Sequence, residues 1–128
     1  MDYSFPKREK LKSKKAIDLL FAEGKHLNNF PLKLIYLEGK KEPKVPFKTM
    51  VVAPKKSFKS AVKRNRIKRL LRESFRLNKH LVFNNIEGNY TFAILYLGKE
   101  MPEYHFIDEK MKGLLDKFLK KIAHEKAP

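Results

Sequence analysis

Residues 60–76 read SAVKRNRIKRLLRESFR, and this stretch constrains the fold more than any other. On a helix of 3.6 residues per turn, Ile67, Leu70, Leu71, Ser74 and Phe75 fall on one side. Asn65, Arg66, Arg69, Arg72, Glu73 and Arg76 fall on the other, with Arg64 and Lys68 at the border. A helix patterned this way needs an apolar layer beneath one face and leaves a cationic ridge on the opposite one. Ser60 is placed to cap it, and the helix is expected to reach about Asn78.

The layer is available in the rest of the chain. Leu32–Leu37 is a short apolar run with Ile and Tyr, and Phe47–Ala53 holds Thr49, Val51 and Val52; both read as strands. Tyr90–Leu97 is apolar except for Thr91, the composition of a central strand covered on both faces. Lys25–Asn29 is a candidate edge strand. Ahead of it, Ser13 and Gly24 bracket a helix over about Lys14–Glu23, with Ala16, Ile17, Leu20 and Phe21 at helical spacing. Ile107, Met111, Leu114, Leu115, Phe118, Leu119 and Ile122 repeat every three or four residues and mark a last helix, in which Gly113 costs about 1 kcal/mol relative to Ala. Gly39–Pro46 and Gly98–Pro102 read as loops, and Glu87-Gly88-Asn89 as a turn. The order predicts one α/β domain (α+β, two-layer) spanning 1–128, with helices on a small sheet and an irregular basic lead-in over 1–12.

Charge narrows the function. The chain carries 30 Lys and Arg against 14 Asp and Glu, a formal +16, and residues 55–76 alone hold 10 basic side chains and one acid. Like charges at that density repel unless a polyanion screens them, so the expected partner is nucleic acid rather than a membrane surface. With no cysteine, disulfides, thiolate metal sites and thiol catalysis are excluded. His26, His80, His105 and His124 are scattered, and the acids form no paired spacing for a protein-held metal. No apolar run approaches the ~20 residues of a membrane span, and the charged start has no signal-peptide pattern, so a soluble, cytoplasmic domain is expected. Arg suits phosphate because its planar fork holds two oxygens, and Arg66 to Arg76 spans about 15 Å. Lys55 and Lys56 are candidate point charges on phosphate or plain exposed lysines. Phe21 and Tyr36 are either core rings or platforms for unstacked bases.

The run from Ser60 to Glu73, preceded by Lys55-Lys56, resembles the RNR signature of the bacterial ribonuclease P protein component. Lys10-Leu11-Lys12 with Ile17 and Phe21 is similar to that family's basic entry and first helix, and Leu34-Ile35-Tyr36 to its tyrosine-bearing strand. The resemblance implies an α-β-β-β-α-β-α fold with a four-stranded sheet and a left-handed β-α-β crossover, against the usual hand. It implies two RNA partners, the ribonuclease P catalytic RNA and precursor tRNA, with no DNA. It implies that the RNA carries the hydrolysis and holds the Mg²⁺, so that no protein side chain is catalytic. By position, Arg64, Asn65, Arg66, Lys68, Arg69 and Arg72 are expected on the catalytic RNA. Ile17, Phe21, Tyr36, Val52, Lys55 and Lys56 are expected on the 5′ leader. The chain departs from the family pattern at Ile17, where Phe is usual, at Val52, where Ser is frequent, and at Met50, where Gly is common. The Lys56–Arg64 connector is one residue longer, with Phe58 and Lys59 in it. The alternative from another class is a structural RNA-binding protein embedded in ribosomal RNA; a protein-only nuclease would need metal-binding acids the sequence does not group.

Overall fold

A computed structural model describes residues 4–39, 47–86 and 88–126. Most of the predicted Gly39–Pro46 loop and Glu87 of the predicted turn lie outside them. Helix α1 spans Lys14–Glu23, strands β1, β2 and β3 span Lys25–Asn29, Leu32–Glu38 and Phe47–Val52, and helix α2 spans Ala61–Asn78. A one-turn helix α3 at His80–Phe83, strand β4 at Tyr90–Tyr96 and helix α4 at Tyr104–Glu125 complete the order. Ser13 and Ser60 cap α1 and α2 as predicted, each side-chain oxygen accepting from the backbone N–H three residues on. The last helix starts at Tyr104, a turn ahead of the apolar repeat, and α3 and a 3₁₀ turn at Lys7–Glu9 are too short for periodicity to reveal.

The sheet runs β1-β2-β4-β3, with β1–β2 and β2–β4 antiparallel and β3–β4 parallel. The parallel pair is joined through α2. Strand β4 is central, which accounts for its unbroken apolar run. Tyr90, Phe92, Ile94 and Tyr96 meet α2 and α4 on one face, whereas Ala93 on the other belongs with Leu11, Leu20 and Ile35 beneath α1. The larger core is aromatic: Phe118 of α4 stands edge-on to Tyr36, Tyr90 and Phe92, with ring centres 4.9–5.3 Å apart.

The lead-in is tied down. Leu11 N–H donates to the Thr49 carbonyl at 2.9 Å, so the segment covers the open edge of β3. Glu9 and Lys79 form an ion pair at 2.6 Å with side chains 10% and 3% exposed, and Lys79 also donates to the Ser4 carbonyl. A buried pair adds little net stability, but removing one partner leaves a bare buried charge and costs about 3–5 kcal/mol.

Gly24 ends α1 as expected, and close packing is the reason it is a glycine. Its φ is −67°, open to any residue, but a Cβ there would stand 2.4 Å from the Leu20 carbonyl oxygen and 2.6 Å from Ile35 Cγ2. Close packing of α1 on β2 excludes the side chain. Asp108 links two helices. It sits in the second turn of α4 and accepts from Ser74 at 3.0 Å and Asn78 at 2.7 Å, joining α4 to α2. Burial alone would raise its carboxyl, but donors from Asn78, Lys112 and Ser74 outweigh that and hold it below the usual range.

Candidate RNA interface

Helix α2 buries Ile67, Leu71, Ser74, Phe75 and Asn78 and turns Asn65, Arg66, Arg69 and Arg72 to solvent. Lys68 is half-buried at the border. None of Arg66, Lys68, Arg69 and Arg72 forms an ion pair with a described residue, so their donors face water. Two other arginines are committed within the protein. Arg76 is held by Glu73 at 2.5 Å, an ion pair that lowers the glutamate's pKa and raises the arginine's. Arg64, expected on the RNA, donates to the carbonyls of Phe58 and Lys59 at 2.7 and 2.8 Å. It therefore shapes the connector. Phe58 is 6% exposed, with its ring 6.1 Å from that of Tyr96. Burying a ring this size is worth about 2–3 kcal/mol. Anchoring Phe58 in this way holds the connector and leaves Lys55 and Lys56 exposed beside the end of β3.

A second surface lies on the α1 side of the sheet. Paired residues share a face, so Asn28, Lys33, Leu95 and Val52 form one row across all four strands, and His26, Ile35, Ala93 and Met50 the next. Helix α1 covers the second row through Leu20, with Ala16 and Ile17 at its border. The first row stays half-open: Leu95 and Val52 give it an apolar floor, and Lys33 gives it a charge. Ile17 packs with Leu95 against the cluster under α1, and Phe21, one turn further along α1, is 42% exposed. Lys33 and Leu95 were not among the expected residues; the period-2 pattern places them only once the pairing register is known.

Tyr36 requires correction. It is 2% exposed and packs in the opposite core, its hydroxyl donating to Glu125 at 3.3 Å. Burial, reinforced by the Glu125 carboxylate, pushes its pKa up to about 12. A ring so placed cannot stack on RNA. The neighbouring Ile35 is the residue under α1, since one step along a strand reverses the face.

The same architecture recurs in known proteins. A family model described as Ribonuclease P matches residues 5–119. The chain belongs to the ribonuclease P protein family. The ribonuclease P protein component of Porphyromonas gingivalis is 34% identical over 116 residues, covering 88% of this chain and 85% of that protein. That of Borreliella burgdorferi is 36% identical over 107 residues, covering 82% and 85%. The ribonuclease P protein structure from Thermotoga maritima superposes with a TM-score of 0.68 at 26% identity, over 86% of this chain and 97% of that one. A Staphylococcus aureus ribonuclease P protein gives 0.67 at 18% identity, over 86% and 94%, a likeness of fold. The chain is thus the protein component of a tRNA-processing endoribonuclease, and it binds RNA.

The family resemblance implies Mg²⁺, and the donors of the described residues do not fit such an ion. Among the described residues no three His, Asp or Glu side chains stand close enough to hold a metal. Glu23, Glu38 and Glu125 line one hollow, but Glu125 is paired with Lys25 at 3.2 Å and Glu38 with Lys126 at 2.8 Å. No described helix is long and apolar enough to cross a membrane.

Proposed function

We propose that the chain is a single RNA-binding domain that docks on the catalytic RNA of ribonuclease P and holds the 5′ leader of precursor tRNA. Asn65, Arg66, Lys68, Arg69 and Arg72 meet the catalytic RNA, and Arg64 sets the connector from which α2 springs. Ile17, Phe21, Val52, Lys55 and Lys56 line the leader's path along the half-open row, joined there by Lys33 and Leu95. The observation that carries this reading is the separation of two unlike surfaces by one sheet. An unneutralised arginine ridge suits a folded RNA with dense phosphates, and an apolar trough edged by lysines suits a single strand with exposed bases.

The mechanism is electrostatic and positional. The ridge relieves phosphate repulsion and fixes the subunit, while the trough distinguishes precursor from mature tRNA by the presence of a leader. Mg²⁺ is held by the RNA and the substrate and supports phosphodiester hydrolysis there. The expected compartment is the cytoplasm. Reconstitution tests the proposal: purified protein, bacterial catalytic RNA and 5′-labelled precursor tRNA at near-physiological Mg²⁺. Cleavage at the mature 5′ end should require both macromolecules. Failure of folded protein to stimulate the RNA would refute it.

A further inference from the structure

Beyond the half-open row, the chain runs on extended for one residue past the end of β4. Leu97 lies two residues past Leu95 and therefore on the same side, about 7 Å further on. Its N–H donates to the Pro31 carbonyl at 2.7 Å, lacing the exit of β4 to the β1–β2 turn. Here a groove opens between Phe30-Pro31 on one wall and Phe106 and Lys110 of α4 on the other, with Lys99 at its mouth. Phe30 is 71% exposed and Phe106 39%, and neither ring belongs to a core cluster. Lys110 Nζ sits 5.7 Å from the centre of the Phe106 ring.

The walls are held in place. Asn29 Nδ2 donates to the Lys110 carbonyl at 2.9 Å, and Lys117 Nζ donates to the Asn28 carbonyl at 2.8 Å. Gly113 permits this, because a Cβ there would stand 2.6 Å from Asn29 Nδ2. The glycine that weakens α4 is thus what lets the turn approach it. Two exposed rings with two cations are the components of single-strand binding, in which bases stack and phosphates pair. Glu100 is the only acid lining the groove among the described residues, and its backbone carbonyl serves Tyr96 Oη.

We propose that this groove, which wraps the end of the sheet from Pro31 and Leu97, next along the strands after Lys33 and Leu95, to Tyr96 and α4 on the other face, is a further stacking station for single-stranded RNA. An unstacked base lodges against Phe30 and Phe106, and its flanking phosphates meet Lys99 and Lys110. The occupant is the part of the precursor leader that has run past the trough, so the proposal rests on the leader reading above. It makes leader length, beyond what the trough holds, a determinant of affinity.

The chain has no tryptophan, so Phe30→Trp places a single indole in the groove. Precursors with leaders lengthened one nucleotide at a time are titrated into the reconstituted holoenzyme. Quenching should begin only above a threshold leader length and be absent with mature tRNA. The double variant Phe30→Ala/Phe106→Ala should weaken long-leader precursors about tenfold and leave short-leader precursors unchanged. Both rings are exposed, and circular dichroism checks the fold. A long-leader advantage intact in the double variant overturns the proposal, as does equal quenching by mature tRNA. Phe21→Ala on short leaders separates the two readings. If it weakens them while the groove variants change nothing, only the groove proposal fails; if it changes nothing, the leader reading fails.

Discussion

Ile35 and Tyr36 are neighbours in β2, yet one lies under α1 and the other in the aromatic core against Phe118. The apolar run that reveals the strand is the same in either register, so composition cannot say which of the two faces the trough. The consequence for Tyr36 is a stability role with a pH signature. Its ordinary value of 10.0 is raised to about 12 in the fold, by burial first and the Glu125 carboxylate second. The unfolded chain loses this proton near pH 10, whereas the folded chain keeps it. The contribution is therefore complete below about pH 10 and is lost as pH rises to about 12, up to about 2–3 kcal/mol. Melting temperatures from pH 9 to 12 should fall less steeply in Tyr36→Phe than in the parent. Parallel curves would remove the assignment. The arginines divide in the same way by what they touch: Arg64 serves backbone carbonyls and Arg76 serves Glu73, although both carry the charge that marks a ridge.

Helix α2 is the element in which pattern and structure agree most closely. Its cap at Ser60, its end at Asn78 and the burial of Ile67, Leu71, Ser74 and Phe75 follow from period and capping, because packing and exposure on a helix repeat every 3.6 residues, whereas Leu70 of the apolar side stays half-exposed and Asn78 is buried by its bond to Asp108. The free face at Arg66, Arg69 and Arg72 then has a salt signature. Each phosphate left unneutralised by a substitution should reduce the slope of log affinity against log salt by about 0.7 if the strand it belongs to is single and about 0.9 if it is duplex. Arg66→Ala and Arg69→Ala should each weaken binding to the catalytic RNA and flatten that slope, measured by titration from low to moderate salt. Both variants are at exposed positions, so the fold should survive. An unchanged slope in both would detach the ridge from the RNA.

On the scale of the whole molecule, a formal charge of +16 on 128 residues opposes compaction. The folded state concentrates that charge, and among the described residues the acids bonded to α2 are Glu73, which holds Arg76, and Asp108 of α4, which accepts from Ser74 and Asn78. Anions that settle on the ridge bind the folded state better than the unfolded one and stabilise it by mass action. Sulfate or phosphate should therefore raise the melting temperature more than the same ionic strength of chloride. The gain should shrink in an Arg66→Ala/Arg69→Ala variant. Equal effects of sulfate and chloride would refute specific anion stabilisation.

The sequence by itself determined α1, the strands, α2 and α4, the RNA partner class and the ridge, because each rests on periodicity, capping or charge that is local in the chain. The RNR run supplied the family by its length and specificity. Tertiary structure alone decided which face of β2 lies under α1, that Arg64 Nη1 holds the connector carbonyls, and that Lys79 and Glu9 bury an ion pair 70 residues apart. It also decided why Gly24 and Gly113 are glycines, since each answers to a neighbour from another element. These facts depend on register and on which surfaces meet, and a one-residue slip that leaves every local pattern intact reverses them.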